Sequence, residues 1–458
     1  MSELVATSQQ GLVGKYQPYQ EYKDSGVEWL GNVPSHWTVT AVKRFASFTT
    51  GWTPPTGNDA YFGGEHLWAN ISDVGHRVLS TTAKTITDAG VRATRIKKSP
   101  KGSLLFSFKL SIGLVSIVGE DMYTNEAIAT FLPSETFNIS YMYWAAPLFI
   151  PQNAEENIYG AKLLNQERIG NASFVLPTPK EQRTIAAFLD YETARIDRLI
   201  AQQQRLIELL KEKRQAVISH AVTKGLNPNA PMKDSGVEWL GQVPEHWCVF
   251  RLKHLAAQMK AGPFGSSLTK DMYVSSGYKI YGQEQVIPGD FSIGDYYISE
   301  DKYAELRQYA VKAGDILISC VGTFGKIAVF PKDAQEGVIN PRLIKVSPTE
   351  VILPEFLELV LRSQVAFEQM TLFSRGGTMD VVNIGILSEI RVTVPPILEQ
   401  KSLLSEVNIR VEQYDHLVNK AENTISLLKE RRIALISAAV TGKIDLRGWT
   451  PPADEVAA

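Results

Sequence analysis

The chain has 458 residues and a formal net charge of −2. Its length fits two to four domains, and its 44% hydrophobic and 21% charged residues are typical of a soluble globular protein. No apolar run approaches the roughly 18 residues of a membrane span. The N-terminal residues are polar and do not resemble a secretory signal. Cys248 and Cys320 fit neither a disulfide framework nor a metal site. We therefore expect a cytoplasmic protein with reduced thiols, whose net charge gives no overall sign of nucleic-acid binding.

The sequence is a repeat of one half-chain. The segment KDSGVEWLGNVPSHW (23–37) returns almost unchanged as KDSGVEWLGQVPEHW (233–247), and LLKEKRQAVISHAVTK (209–224) returns as LLKERRIALISAAVTG (427–442). The two offsets, 210 and 218 residues, indicate a shared scaffold with small insertions in the second copy.

Between the repeated segments, each half holds a variable globular region. Short apolar runs such as LLFSF (104–108) and DILISCVG (315–322) predict strands, and YMYWAAPLF (141–149) predicts a helix. We expect an α+β fold with two globular domains, each built on a twisted sheet. The predicted order is a lead and anchor (1–37), domain 1 (38–176), a long helix (177–226), a linker with the second anchor (227–247), domain 2 (248–394), a second long helix (395–442) and a tail (443–458).

The long helix of the first half has a clear start and stop. Thr178 can cap it, Pro179 suits the first helical position, and Glu181 can close a capping box. The helical pattern then continues without Gly or Pro until Gly225. About 42 residues at roughly 1.5 Å each give a rod of about 60 Å.

Both long helices carry an apolar seam at alternating steps of four and three, as in a coiled coil. We predict that they pack antiparallel, in a register that places Glu192 near Arg431 or Arg432. The pattern alone leaves open two independent core helices in separate domains. The seam residues are Ile185, Leu189, Ile196, Leu199, Leu206 and Leu210 in the first helix and Leu403, Val407, Tyr414, Leu417, Leu428 and Leu435 in the second.

Several motifs carry a family resemblance. Both anchors end in WLG-x-VP-x-HW, and the second half contains GPFGSSL (262–268), YGQEQVI (281–287), RGGTMDVVN (375–383) and VPPILEQ (394–400). With the long helices, these motifs make the chain resemble the specificity subunit of type I restriction–modification systems. The first half departs from the motifs at GWTPPTG (51–57) and YGAKLLN (159–165), where we expect the two domains to differ in the DNA that they read.

The resemblance implies a non-catalytic DNA-recognition subunit. Each globular domain would be a target-recognition domain that reads one half of a bipartite, asymmetric site in double-stranded DNA. The paired helices would set the spacer and dock two modification (methyltransferase) subunits, which restriction (helicase–nuclease) subunits would join. It also implies no cofactor on this chain, with S-adenosylmethionine, ATP and Mg²⁺ held by the partner subunits only.

Candidate DNA contacts in domain 1 are basic. Five basic residues within ten positions can hold phosphates, which contributes affinity without sequence information. The same run is equally consistent with a solvated strand or loop edge. The run comprises Arg92, Arg95, Lys97, Lys98 and Lys101, with Lys109 and Lys162 as weaker candidates.

In domain 2, a dense polar set follows a predicted strand. Gln can bind adenine through two hydrogen bonds, and Glu can accept one from cytosine N4. The set is Tyr281, Gln283, Glu284 and Gln285, and the candidates in flanking loops are Ser266, Ser267, Lys270, Lys326, Arg342, Arg375 and Thr378.

Two other functions remain open at this stage. One is a two-headed protein-binding scaffold on a coiled coil, which would explain the repeat and the neutral charge. The other is a self-contained metal-dependent nuclease: Asp290 with Glu300, Asp301 and Lys302 has a spacing that can hold Mg²⁺, although a solvated turn explains the same residues. No Gly-x-Gly-x-x-Gly, Walker A or Asn-Pro-Pro-Tyr motif occurs in the sequence.

Overall fold

A computed structural model describes residues 16–156, 158, 160, 162–237, 239–320, 326–374 and 382–452. The chain divides into two compact units: unit 1 is residues 1–203 with 423–458, and unit 2 is residues 204–422. Each unit therefore contains one globular domain and one half of each long helix. Within the described ranges, no helix is both long and apolar enough to cross a membrane.

Unit 1 is built on a five-stranded sheet and a three-stranded sheet. The strands are β1 (Tyr22–Asp24), β2 (Asn32–Pro34), β3 (Thr38–Ala41), β4 (Phe48–Thr50), β5 (Phe62–Ala69), β6 (Val78–Leu79), β7 (Lys84–Ile86), β8 (Leu104–Ser107), β9 (Val115–Val118), β10 (Tyr123–Thr124), β11 (Ile128–Phe131), β12 (Glu155–Glu156), β13 (Lys162–Leu163) and β14 (Ser173–Leu176). The larger sheet has the order β4-β11-β8-β9-β6 and is antiparallel except for the parallel pair β6–β9. The smaller sheet, β10-β5-β7, contains the parallel pair β10–β5.

Unit 2 repeats this plan with a four-stranded and a three-stranded sheet. Its strands are β15 (Met232–Asp234), β16 (Gln242–Pro244), β17 (Cys248–Arg251), β18 (Ala256–Ala261), β19 (Tyr278–Tyr281), β20 (Tyr297–Ile298), β21 (Ile316–Ser319), β22 (Ile327–Val329), β23 (Gly337–Ile339), β24 (Leu343–Pro348) and β25 (Arg391–Val394). The antiparallel sheet β18-β24-β21-β22 matches the larger sheet of unit 1, and β20-β19-β23 keeps the parallel pair β19–β23. The predicted α+β architecture is therefore confirmed in both units.

The described part of the chain also forms α-helices. They are α1 (Asp88–Thr94), α2 (Ile139–Phe149), α3 (Gln166–Asn171), α4 (Pro179–Lys224), α5 (Gln283–Val286), α6 (Glu300–Glu305), α7 (Pro354–Leu361), α8 (Gln364–Ser374), α9 (Ile384–Glu389) and α10 (Ile397–Val440). The two longest, α4 with 46 residues and α10 with 44, are the predicted rods.

The long helices run antiparallel. In unit 1, Ile185 and Leu189 of α4 share a hydrophobic core with Leu435 of α10. In unit 2, Ile218 of α4 packs with Val407 of α10. The first half of α4 thus meets the second half of α10, and the second half of α4 meets the first half of α10, which confirms the predicted coiled coil.

The interhelical ion pair differs from the predicted one. Arg432 forms its ion pair with Asp197 rather than with Glu192, with Arg432 Nε 3.0 Å from Asp197 Oδ1. In unit 2, Arg214 Nε lies 3.0 Å from Asp415 Oδ1. Asp415 is 218 residues after Asp197, and Arg432 is 218 residues after Arg214. The two ion pairs therefore lie at equivalent positions of the repeat.

The predicted seam is buried only toward the ends of the helices. Ile185, Leu189, Ile196, Leu403, Val407 and Leu435 are buried, whereas Leu210, Tyr414 and Leu428 are half-buried. Leu199, Leu206 and Leu417 remain 38%, 42% and 47% exposed, and Val418 is buried instead of Leu417, so the seam was wrong at these three positions. The physical reason is that the end residues are covered by a globular core as well as by the second helix, which raises their burial above that of the central residues.

Each anchor packs against the start of a long helix through a glutamate. In unit 1, Glu181 accepts hydrogen bonds from Trp37 Nε1 (3.2 Å) and Thr178 Oγ1 (2.7 Å), and its Oε1 lies 3.0 Å from His36 Nε2. The reciprocal bond from Glu181 N to Thr178 Oγ1 confirms the predicted capping box. Burial acts to raise the pKa of Glu181, but these hydrogen bonds outweigh it and lower the pKa.

The second anchor repeats this arrangement in unit 2. Glu399 Oε1 accepts a hydrogen bond from Trp247 Nε1 at 3.2 Å, and Oε2 lies 2.7 Å from His246 Nε2. Trp247 also packs against Gly225, at the end of α4. The anchor therefore joins the end of one long helix to the start of the other.

Candidate nucleic-acid interface

The segments that follow β18, β19 and β23 line a cavity of about 570 Å³ in unit 2. This cavity brings together four of the predicted side chains, Lys270, Gln283, Glu284 and Arg342, which are separated by up to 72 positions in the sequence. The predicted polar set and part of its predicted flank therefore form one surface depression.

Asn340 organises the loops around this cavity. Its N–H donates to the Tyr281 carbonyl at 2.8 Å, and its Oδ1 accepts from Arg342 N at 2.9 Å. The loop after β21 is joined to it, because Cys320 N donates to the Arg342 carbonyl at 3.0 Å. A Cβ at Gly262 would overlap the Asn340 carbonyl oxygen, so the loop after β18 packs backbone against backbone on the same residue.

Gln283 is the most constrained of the accessible polar side chains. Its Nε2 donates to Ser319 Oγ at 2.6 Å, and its Oε1 accepts from Arg342 at 3.5 Å. Glu284 is exposed, and its Oε1 accepts a hydrogen bond from Gln285 Nε2 at 3.0 Å. The amide and the carboxylate thus both have hydrogen-bond partners within the protein.

Two members of the predicted set are interior residues. Tyr281 is fully buried, and its hydroxyl donates to the Gln335 carbonyl at 2.6 Å; burial raises its pKa to about 12. Gln285 is also fully buried, accepting from Gly282 N at 2.8 Å and donating to the Ile293 carbonyl at 3.0 Å. Both side chains hold the loop from within, which corrects their assignment as base-contacting candidates.

The remaining candidates of domain 2 lie in different places. Ser266 and Ser267 are exposed in a short turn after β18. Lys326 is exposed but lines a separate cavity of about 470 Å³ against the unit 2 halves of α4 and α10. Arg375 and Thr378 lie outside the described residues, so their assignment stays a prediction.

Unit 1 contains the same loop framework. Asn125 N donates to the Ala69 carbonyl at 3.0 Å, and Asn125 Oδ1 accepts from Ala127 N at 3.1 Å, as Asn340 does in unit 2. A Cβ at Gly51 would overlap the Thr124 carbonyl oxygen. The two domains therefore present different side chains on one backbone arrangement.

The side chains around Asn125 are mostly ones that sequence reasoning missed. The loop after β5 carries Asn70, whose Oδ1 accepts from Ser72 N at 2.8 Å. Thr53 Oγ1 donates to Glu126 Oε2 at 2.5 Å. The alignment of Asn125 with Asn340 was the signal that could have located these loops, because no dense polar or basic run marks them.

The two weaker basic candidates have different surroundings. Burial acts to raise the pKa of Glu126, but its hydrogen bonds, with a smaller contribution from the nearby Lys109 charge, lower it. Lys162 lies in the β12–β13 hairpin, directly opposite Glu156. Lys109 is therefore near enough to Glu126 for its charge to act on that carboxylate, whereas Lys162 lies in a hairpin.

The basic run of domain 1 is accompanied in space by acidic residues. Lys98 Nζ lies 3.7 Å from Asp121 and Lys101 Nζ lies 3.1 Å from Glu120. These acids reduce the positive potential that the sequence alone indicates, and phosphate binding by this run stays a prediction. The other members, Arg92, Arg95 and Lys97, are exposed on and just after α1.

The nuclease-like residues take part in local structure. Asp290 Oδ1 accepts hydrogen bonds from the backbone and hydroxyl of Ser292, and Lys302 pairs with Glu305 at 2.6 Å within α6. Among the residues that the structure describes, no group of three or more His, Cys, Asp or Glu side chains is placed to hold a metal ion.

The family described as type I restriction modification DNA specificity domain matches this chain twice, over residues 34–209 and 244–424. The chain belongs to this family. The two matches correspond to the two halves of the repeat, each with one globular domain and most of one long helix.

Curated members of the specificity family are similar at low identity. The chain is 24% identical over 204 residues to the type I restriction enzyme MjaIX specificity subunit of Methanocaldococcus jannaschii, covering 43% of this chain and 46% of that protein. It is 22% identical over 317 residues to the EcoBI specificity subunit of Escherichia coli, covering 68% of this chain and 66% of that protein. The matches thus span about half to two thirds of the length of these relatives.

Solved structures share the fold. A chain from a structure that concerns complex assembly and conformational transition of the type I R-M system superposes with a TM-score of 0.69, at 15% identity, over 89% of this chain and 98% of that one. The HsdS subunit from Thermoanaerobacter tengcongensis gives a TM-score of 0.53 at 16% identity, over 90% of this chain and 98% of that one. At these identities the likeness concerns the fold alone.

Proposed function

We propose that this chain is the DNA-recognition subunit of a type I restriction–modification complex, in which each globular domain reads one half of a bipartite, asymmetric site in double-stranded DNA. The observation that carries the proposal is the shared loop framework of Asn125 and Asn340. At matching positions of that framework, Gln283 and Arg342 of unit 2 replace Ile71 and Ala127 of unit 1. One backbone with different side chains is what two readers of unlike half-sites require.

The chemistry of the unit 2 cavity suits base edges. The Gln283 amide is held between Ser319 and Arg342, which favours a defined orientation for hydrogen bonds to adenine N6 and N7. Glu284 can accept from cytosine N4, and Arg342 can donate to guanine or to a phosphate. Lys270, at the edge of the same cavity, suits a phosphate contact.

The unit 1 loops offer a different set of groups. Asn70, Ser72 and Glu126 supply amide, hydroxyl and carboxylate groups, and Lys109 lies nearby. Since these side chains differ from those of unit 2, the two half-sites should differ in sequence.

The long helices are suited to set the spacer and to bind the other subunits. At about 1.5 Å per residue, 44 to 46 residues make helices of about 65–70 Å. The exposed leucines at positions 199, 206 and 417 leave apolar surface along their central part, as expected of an interface with further subunits. The repeat makes equivalent surfaces for two modification subunits, which restriction subunits would join in the cytoplasm.

We infer that the reactions belong to these partners. The chain itself would contribute recognition and positioning, and S-adenosylmethionine, ATP and Mg²⁺ would be bound by the modification and restriction subunits.

The proposal is tested by expressing the chain with modification subunits encoded beside it and sequencing the methylated bases of the host DNA. We expect methylation within an interrupted site whose two halves differ, and none when the chain is expressed without those subunits. Methylation that is independent of this chain, or a single uninterrupted site, would overturn the proposal.

A further inference from the structure

We propose that Trp52 and Phe264 contact nucleobases directly, one aromatic ring for each half-site. This inference rests on the proposed function and identifies specificity residues outside the polar sets. Trp52 is 57% exposed and Phe264 is 70% exposed, so both rings face solvent.

The two rings occupy equivalent loops. Trp52 follows β4 and is one position after Gly51, whereas Phe264 follows β18 and is two positions after Gly262. The strands β4 and β18 hold the same place in their sheets. β4 is an edge strand beside β11, which follows Asn125, and β18 is an edge strand beside β24, which follows Asn340. An exposed aromatic residue therefore recurs at one location although the surrounding sequences differ.

The backbone beneath each ring is fixed by a close approach. Gly51 lies directly on the Thr124 carbonyl and Gly262 on the Asn340 carbonyl, where any Cβ would overlap the oxygen. In unit 1 the position is secured further, because Trp52 N donates to the Thr124 carbonyl at 2.9 Å and Trp68 Nε1 donates to the Trp52 carbonyl at 3.2 Å. With the backbone held in this way, mainly the side-chain torsions of each ring remain to be fixed on binding.

The neighbours of each ring define the partner. In unit 1, Thr53 adjoins Trp52 and is hydrogen-bonded to Glu126. In unit 2, the carbonyl that supports Gly262 belongs to Asn340, which lines the cavity with Arg342. An apolar ring beside fixed hydrogen-bonding groups suits the edge of a base pair in the major groove, where the methyl group of thymine lies next to hydrogen-bond donors and acceptors.

The test uses the complex of the full chain with its modification subunits and a duplex that carries the methylated site. Affinity is measured from low to moderate salt for Trp52→Ala and Phe264→Ala. Each variant should bind about 10- to 100-fold more weakly, as expected when the readout of one base pair is lost. The slope of affinity against salt should stay unchanged, because no phosphate contact is removed.

Matched controls come from exposed valines of the same units. Val78→Ala and Val351→Ala each shorten a side chain that is 53% exposed, and they should bind DNA as the wild type does. Trp52→Phe should retain most of the affinity because it keeps an aromatic ring. The melting temperature of each variant shows whether the fold is intact.

The effect of base changes in each half-site shows which half-site each ring contacts. Trp52→Ala should reduce discrimination against base changes in one half-site and Phe264→Ala in the other. Wild-type affinity of both alanine variants, or an affinity loss that comes with a reduced salt slope, would overturn the inference and leave the proposed function intact. A wild-type complex that does not prefer the methylated site over a scrambled duplex would instead contradict the proposed function.

Discussion

Arg432 Nε lies 3.0 Å from Asp197 Oδ1, and this ion pair fixes the register of α4 against α10 in unit 1. Arg214 and Asp415 repeat the relationship in unit 2. The same aspartate–arginine contact therefore occurs once in each unit, at equivalent positions of the sequence repeat.

Charge reversal of Arg432 and Asp197 should show that the two side chains interact energetically across the helix pair. Arg432→Glu alone should lower the free energy of unfolding by about 0.2–1 kcal/mol, since both partners are partly exposed, and adding Asp197→Arg should restore most of the loss. Urea unfolding of the four proteins of the double-mutant cycle provides the measurement. Arg410→Glu, which disrupts a pair within α10, serves as the control and should show no coupling to Asp197. A zero coupling energy between Arg432 and Asp197 would contradict the observed register.

The anchor glutamate should make unit 1 sensitive to acid. The pKa of Glu181 is lowered in the folded protein, so its stabilising contribution is present above the ordinary carboxyl value of 4.5 and is lost as the pH falls below it. Glu181→Gln should lower stability at neutral pH by about 1–3 kcal/mol, because charge-assisted hydrogen bonds from Trp37 and Thr178 are weakened. Below pH 4.5, the stability of the variant should fall less steeply than that of the wild type.

Thermal unfolding across pH 3 to 7 checks this prediction. Glu399→Gln is the matched control from the repeat, and its effect at neutral pH should be smaller, since the Glu399 side chain is 33% exposed against 6% for Glu181. Equal acid sensitivity of the wild type and Glu181→Gln would show that this carboxylate is not responsible.

The sequence was most informative where one pattern decides the structure. The long helices follow from an apolar period that extends from Pro179 to Lys224 with a capping box at its start, and their pairing follows from the repeat. The ion-pair partner of Arg432 was misplaced because the helices carry several acidic residues within its reach, and the choice of Asp197 depends on side-chain contacts that the sequence does not show.

The candidate site was predictable only in part. Gln283, Glu284 and Arg342 come together as expected, but Tyr281 and Gln285 of the same short segment are buried. A strand end that turns into a helix sends successive side chains to opposite sides, and the sequence does not state which side faces water. The acids beside the basic run were missed for a similar reason, since the pairing of Ser99 with Met122 brings distant residues together.

Glycine 51 should be required for the loop framework of unit 1. Gly51→Ala places a methyl group on the Thr124 carbonyl, which should destabilise unit 1 by about 1–3 kcal/mol and weaken DNA binding. Gly57→Ala, in the same loop after β4, meets open space and should leave both properties unchanged. Denaturant unfolding and DNA affinity, measured together, distinguish the two variants, and tolerance of Gly51→Ala would contradict the close approach.

Lengthening the helix pair should alter the spacer. Inserting four residues after Gln204 extends α4 by about 6 Å, which is close to the rise of two base pairs. The spacer between the half-sites should lengthen, or recognition should be lost, while the bases read within each half stay the same. Sequencing of methylated bases provides the readout, and full activity at the original spacing would show that the helices do not set the distance.

If two separate domains read two separate half-sites, exchange of one domain should change one half-site only. Residues 248–394 are replaced by the equivalent domain of another family member, and methylated bases are sequenced in cells that also express the modification subunits. We predict that one half-site changes while the other half-site keeps its sequence. A simultaneous change of both halves, or an unchanged site, would contradict the account.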